Sequence, residues 1–166
     1  MLIILRGNSG SGKTSTAYKL REKAIEIDSD KKIAVVEQDY LRRKVLKEKA
    51  MPNGDNIGLV YQTVKYAIDH NYDVILEGIL GTNKYRAMLE ELTRYADKYY
   101  AYYFDISFDE TLRRHRTKPN AHEFGEKEMR EWFKHEDFLE FENEEIISEE
   151  LTQDLIISKI LETTGL

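Results

Sequence analysis

Short aliphatic runs alternate along the chain with stretches whose apolar residues recur every three or four positions. Leu2–Leu5 is an aliphatic run that stops at a glycine-rich segment and reads as a buried strand. From Thr14 to Ile27, apolar residues stand at Ala17, Leu20, Ala24 and Ile27, a helical spacing that Asp28, Ser29 and Asp30 break. Lys32–Gln38, holding Ile33, Ala34, Val35 and Val36, predicts a second buried strand, and Tyr40–Lys49 a strongly basic helix. Pro52, Asn53, Gly54 and Asp55 make the clearest turn. Ile57, Val60, Tyr61, Val64 and Ile68 form the stripe of another helix, and Asp73–Leu80 a third strand. Asn83–Ala96 reads as a helix with Met88, Leu89 and Leu92 inward, and Tyr99–Ile106 as an aromatic-rich fourth strand. Asp109–Arg116 opens a helix, and Lys118–Gly125 is polar and irregular. Glu126–Leu139 is expected to be helical, with Met129, Trp132 and Phe133 on one face. Glu145–Ser148 and Thr152–Glu162 read as a last strand and a closing helix. The alternation predicts an α/β fold, a five-stranded parallel sheet with helices on both faces. Such sheets bind ligands beyond the carboxyl ends of their strands.

Composition narrows the class. The chain has 166 residues, 41% hydrophobic and 34% charged, which suits one folded domain over residues 1–166 and excludes a disordered chain. There is no cysteine, so disulfides, thiolate zinc sites and cysteine nucleophiles are excluded, and a reducing compartment suits the chain. The net charge of −6 argues against a broad basic face for nucleic acid. The opening MLIILRGNSG holds too short an apolar run for a signal peptide or a membrane span. The expectation is a cytoplasmic protein with no membrane partner.

Chemistry enters at residues 7–14, GNSGSGKT, which fit G-x-x-x-x-G-K-[ST] between a strand and a helix. In such a Walker A loop the backbone N–H groups of Gly7, Asn8, Ser9, Gly10, Ser11, Gly12, Lys13 and Thr14 wrap a nucleotide's phosphates, helped by the positive end of the following helix. Lys13 supplies a mobile cation for the β- and γ-phosphates, and Thr14 offers its hydroxyl to Mg²⁺. ATP and Mg²⁺ are the expected cofactors. A guanine-reading [NT]-K-x-D motif is missing: Asn83-Lys84-Tyr85-Arg86 and Thr117-Lys118-Pro119-Asn120 both lack the aspartate.

Two features suit a phosphotransferase better than a non-catalytic nucleotide sensor, which remains the reading from another class. Asp39 follows the second strand, with Arg42 one helical turn on. A carboxylate there can take the proton of an attacking hydroxyl or help hold Mg²⁺, and Arg42 can anchor an anionic acceptor. A helix N-cap is the plain structural role for Asp39. The second feature is the cationic group Arg113, Arg114, Arg116 and Lys118. On a small helical lid within residues 113–140, these cations can close on the charge that spreads over the transferred phosphoryl and exclude water. Arg113 and Arg116 share a face and are the catalytic candidates, while Arg114 points elsewhere. Glu77 stands at the Walker B position in DVILEGIL, as a metal-binding candidate or a buried ion-pair member. His70, His115, His122 and His135 lack metal-ligand spacing.

With these segments together the chain resembles the small P-loop kinases: gluconate and shikimate kinases, adenylylsulfate kinase, chloramphenicol phosphotransferase, zeta-toxin-like kinases and the kinase domain of phage polynucleotide kinase. The resemblance rests on GNSGSGKT at 7–14, EQDYLRR at 37–43, YDVILEGIL at 72–80 and FDETLRRHRTKPN at 108–120. It is closest to bacterial P-loop ATP-binding kinases that also carry an E-F-G…W segment, here Glu123, Phe124, Gly125 and Trp132. It implies the P-loop NTPase fold and ATP-dependent phosphorylation of a hydroxyl on a small-molecule acceptor. By its spacing, Asp39 with Arg42 matches the base-and-anchor pair of zeta-toxin-like and polynucleotide kinases. The loop at 148–153 corresponds to the one that packs against adenine in the small-molecule kinases. Polynucleotide 5′-hydroxyls and UDP-sugars remain alternative acceptors, although no distinct UDP-sugar segment is evident and the acidic balance disfavours a strand channel.

Overall fold

The computed structural model describes residues 1–117, 122, 124–142 and 144–166. The irregular stretch expected at 118–125 lies mostly outside the described residues. Five strands form one all-parallel sheet: β1 (Leu2–Gly7), β2 (Ile33–Glu37), β3 (Asp73–Gly78), β4 (Tyr99–Asp105) and β5 (Glu144–Ser148), in the spatial order β2-β3-β1-β4-β5. β1 is central, and Leu5 pairs with Glu77 on one side and Tyr102 on the other. Each connection carries helical structure: α1 (Lys13–Ile27), α2 (Gln38–Tyr40) running into a π-helical turn at Leu41–Val45, α3 (Asp55–Asp69), α4 (Thr82–Tyr95), α5 (Phe108–Arg116) and α6 (Glu126–Trp132). α7 (Gln153–Thr164) follows β5.

Strand alternation divides the core. Leu2 and Ile4 of β1, Val74 and Leu76 of β3, and Ala101 of β4 face one layer, packed by Val60 and Val64 of α3 and by Met88, Leu89 and Leu92 of α4. Ile3, Leu5, Ile75, Tyr102 and Phe104 face the other, packed by Ala17, Leu20 and Ala24 of α1 and by Ile156, Ile157 and Ile160 of α7. Burial on both faces explains why these strands read as continuous apolar runs. Among the described residues no helix is long and apolar enough to cross a membrane.

Two expected helices are shorter than their patterns. The basic segment 40–49 stays helical only through the π turn at Leu41–Val45, and Lys47 takes a positive φ of 52°. There Glu48 is drawn off to cap α3, accepting from the main-chain N–H of Asp55 at 2.7 Å and of Asn56 at 3.0 Å. The segment 126–139 is helical only to Trp132. Met129 is buried, but Trp132 is exposed, and Phe133 turns extended.

Candidate active site

All the phosphate-binding candidates sit at the carboxyl edge of the sheet, in the turn between β1 and α1. The turn is tight enough to exclude side chains at two places. A Cβ on Gly7, whose φ is 140°, would stand 2.7 Å from the carbonyl oxygen of Phe104. One on Gly10, whose φ is 86°, would stand 2.5 Å from that of Thr111. The loop therefore lies directly on the main chain of β4 and α5. Lys13 opens α1 and folds back, its Nζ donating to Asn8 O at 2.8 Å and to Ser11 Oγ at 3.1 Å. No side chain caps α1. Its first N–H groups and positive dipole end thus face the loop, an arrangement that suits an anion.

Glu77, near the end of β3, is 4% exposed and accepts a hydrogen bond from Thr14 Oγ1 at 3.1 Å. Burial pushes its carboxyl above the usual range; Lys13 and Thr14 oppose that shift, while Glu37 and Asp39 add to it. The neighbouring strand brings Glu37 into register with Glu77. Tyr18 on α1 donates its hydroxyl to Glu37 Oε1 at 2.5 Å, and chiefly for that reason its phenol is pushed up to about 12. Among the described residues no three His, Cys, Asp or Glu side chains are grouped to hold a metal ion. Mg²⁺ on a nucleotide needs only one or two protein oxygens, because phosphates and water supply the rest. Thr14 and Glu77 offer two oxygens at hydrogen-bonding distance, and they fit.

Asp39 is not a helix cap. The N-cap of α2 is Glu37, and Asp39 lies inside the turn. Its carboxylate accepts from Arg42, and from Arg43 Nη1 at 3.4 Å. Arg42 is tied further to Glu48 O at 3.1 Å, and so to the start of α3. The Asp39–Arg42 pair is thus formed and braced one strand away from the Thr14–Glu77 contact. Beneath it Gln38, Asn56 and Tyr85 share a buried hydrogen-bond network with contacts of 2.8–3.1 Å.

The arginines of α5 sort differently from their helical spacing. Arg113 is 69% exposed and pairs with Glu110 through Nε at 2.6 Å and Nη2 at 2.7 Å. Arg116 is 70% exposed, with Glu126 3.6 Å away. Neither touches the loop. Arg114 does: its Nη1 donates to Ser11 O at 3.1 Å, while its Nε donates to Glu110 Oε1 at 2.6 Å. The two arginines hold Glu110 down to about 2. Lys118 lies outside the described residues. His115 is a buried packing residue, stacked on Phe124 at 4.5 Å with Nε2 2.9 Å from the Phe124 carbonyl. The 148–153 loop lies against the first turn of α1, where Gln153 Nε2 donates to Ser15 Oγ at 2.8 Å.

The chain after α6 is the part of the site that hydrophobic periodicity missed. Residues 133–142 form a strap that starts at the carboxyl edge of the sheet and descends over one face, Leu139 entering the core and Phe141 meeting Tyr99 at the start of β4. Asn8 holds it with both ends of its amide: Nδ2 donates to Lys134 O at 2.7 Å, and Oδ1 accepts from Lys134 N at 2.8 Å. Arg6, fully buried in β1, donates to Asp137 at 2.8 Å, to Glu144 at 3.0 Å and to Leu80 O at 3.2 Å. Asp137 also accepts from Thr82 N at 3.0 Å and Thr82 Oγ1 at 2.6 Å, and Glu144 from Leu139 N at 2.5 Å. One signal was present: an arginine closing an aliphatic strand must find a buried countercharge. A separate groove of about 550 Å³, lined by Asp97, Tyr99, Tyr100 and Glu145 among others, opens at the amino ends of β4 and β5, away from this chemistry.

Comparison with known proteins agrees with this fold. A family model described as an AAA domain (AAA_33) matches residues 2–135. No curated protein matches the chain significantly in sequence. Among solved structures, the Mycobacterium tuberculosis APS kinase CysC in complex with AMPPNP and APS superposes with a TM-score of 0.74 at 16% identity, over 99% of this chain and 97% of that one. A gluconokinase from Sinorhizobium meliloti 1021 gives 0.61 at 15% identity, over 96% and 89%. Chaetomium thermophilum Kti12 in complex with ADP-AlF3 gives 0.68 at 15% identity, over 98% of each chain. The phosphate loop, the parallel sheet around it and the family match over most of the chain lead to one statement: this protein belongs to the AAA domain family AAA_33 and has the fold of the small P-loop kinases.

Proposed function

We propose that the protein is an ATP-dependent phosphotransferase, a single kinase domain that moves the γ-phosphate of ATP to a hydroxyl of a small, anionic acceptor. The observation that carries the reading is the juxtaposition of three parts on one sheet edge. They are the loop with Lys13, the Thr14–Glu77 contact, and the Asp39–Arg42 pair one strand away. A nucleotide sensor needs the first two parts and has no use for the third.

In this reading, residues 7–14 hold the phosphates and Lys13 turns from Asn8 and Ser11 to the β- and γ-oxygens. Thr14 and Glu77 would hold Mg²⁺, with Asp39, whose charge Glu77 feels, as a third candidate oxygen; when bound, the ion would neutralise phosphate charge. Asp39 takes the proton from the attacking hydroxyl as its oxygen bonds to the γ-phosphorus and the bond from that phosphorus to the β–γ bridging oxygen breaks, leaving ADP. Arg42 orients that carboxylate and, with Arg43, offers a positive wall to an anionic acceptor. Arg114, rather than Arg113 or Arg116, is the α5 cation that reaches the phosphate loop and would meet the phosphates. The 148–153 loop, tied to the first turn of α1 by Gln153, would pack against adenine. Use of ATP and the absence of cysteine suit the cytoplasm.

The test is a screen of hydroxyl acceptors with ATP labelled at the γ-phosphate, scoring label on the acceptor against free phosphate. Sugar acids, nucleosides and their phosphates, UDP-sugars and 5′-hydroxyl oligonucleotides cover the classes in question. Transfer to one of them supports the kinase. Tight ATP binding with no transfer and no hydrolysis would replace it with the sensor.

A further inference from the structure

We infer that Lys134 is a second phosphate-binding cation, presented to the terminal phosphate of the bound nucleotide by the side chain of Asn8. The inference rests on the nucleotide-binding reading above and adds a residue that the Walker motif does not contain.

Three observations converge on it. First, the strap is fastened to the phosphate loop itself. Asn8 is 4% exposed, and its whole amide is spent on the main chain of Lys134, one bond in each direction. A loop side chain that grips a main chain through both its donor and its acceptor fixes position without reading the gripped residue's side chain. Lys134 is therefore held at its backbone while its four-carbon stem stays available.

Second, the clasp lies at the correct end of the loop. Lys13, whose partners in a bound nucleotide are the β- and γ-phosphates, rests here on the carbonyl of Asn8. Asn8 therefore marks the terminal-phosphate end of the site, and Lys134 starts from there.

Third, the ammonium of Lys134 is exposed and has no carboxylate partner among the described residues. The remaining strap is held with unusual firmness. Arg6 and Glu144 bind it from below, Thr82 binds Asp137, and Arg86 donates to Leu139 O at 2.9 Å. Glu136 and Glu140 take positive φ values of 46° and 60° on either side of Asp137–Leu139. Backbone of that kind persists where surrounding contacts over-determine it. A cation on a strap whose backbone is already fixed, beside a loop built for anions, has only its own side chain left to order when a phosphate arrives.

Calorimetric titration of ATP·Mg²⁺ and ADP·Mg²⁺ tests this without any acceptor or turnover. Lys134→Ala should weaken ATP binding about tenfold or more, the scale of one hydrogen bond to a charged group, and leave ADP binding unchanged. Lys134→Arg should restore the preference for ATP. Asn8→Ala should lose the same preference, and the double variant should be no worse than either single one, because Asn8 is a positioning residue acting through Lys134. If Lys134→Ala keeps the wild-type ratio of ATP to ADP affinity, Lys134 has no such role, whatever the kinase does. If the wild-type protein binds neither nucleotide, the underlying reading falls and this inference falls with it.

Discussion

Asp39→Asn keeps the size of the side chain and its ability to accept from Arg42, but removes the proton acceptor. Because Asp39 lies inside α2 and not at its cap, and its pair with Arg42 is half exposed, the substitution should cost no more than about 1 kcal/mol of stability. Turnover with the acceptor found in the screen should fall by about 10²–10⁴-fold. ATP affinity should hold. A collapse of ATP·Mg²⁺ binding instead would assign Asp39 to the metal, and full activity would shift the search for a base to Glu77. At this scale the sequence was legible where chemistry dictates both residue type and spacing. Gly7 and Gly10 are required by main-chain atoms of Phe104 and Thr111, and the Asp39–Arg42 spacing is one helical turn. It was not legible where a choice among like residues depends on which neighbour a helix face meets. Arg113, Arg114 and Arg116 are equivalent until the approach of α5 to Ser11 O selects Arg114.

At the scale of elements, α5 carries two expectations. Arg114→Ala should lower kcat, while Arg113→Ala should behave like wild type, because among the described residues Arg113 reaches only Glu110. Equal losses from both would mean that the helix rotates when substrates bind. The carboxyl of Glu110 is lowered from 4.5 to about 2, first by Arg113 and then by Arg114. A carboxylate depressed in the folded state stabilises fully above its unfolded value and loses that contribution as pH falls through the folded one. The arginine fork should therefore stay intact at pH 5 and dissolve between pH 4.5 and about 2. A carboxyl NMR titration would check this, and a Glu110 midpoint near 4.5 would contradict it. The ends of the helices show why periodicity overran them. Phe133, Phe138 and Leu139 carry apolar residues on past Trp132, yet Asn8 takes both main-chain groups of Lys134 and Glu144 takes the N–H of Leu139. Side chains more than a hundred positions away, or from the next strand, satisfy the backbone that a local pattern assigns to a helix.

The whole molecule is joined across the carboxyl edge by a charge that apolar patterning would not place there. Arg6 is fully buried in the central strand, with Asp137 on the strap and Glu144 at the start of the edge strand β5 as countercharges. Through Thr82 the same cluster reaches α4, and Tyr103 lies 5.1 Å from the guanidinium. Buried ion clusters contribute little net stability when compared with apolar replacements, but removal of one member is costly because the others remain charged and buried. Arg6→Met should therefore lower unfolding free energy by about 3–5 kcal/mol. The triple variant Arg6→Met, Asp137→Asn and Glu144→Gln should recover most of that loss, since no net charge is left buried. Urea unfolding read from midpoint and slope would measure both. The cluster's work then lies in fixing the strap, and the two measurements should separate. The triple variant should regain stability without regaining a wild-type ATP-over-ADP preference, because the strap that carries Lys134 would lose its charged tie to the central strand and keep its contacts with Asn8, Thr82 and Arg86. A single Arg6→Met variant that unfolds at the wild-type midpoint would mean that the strap is held by other contacts, and that the buried charge has no part in ordering the site.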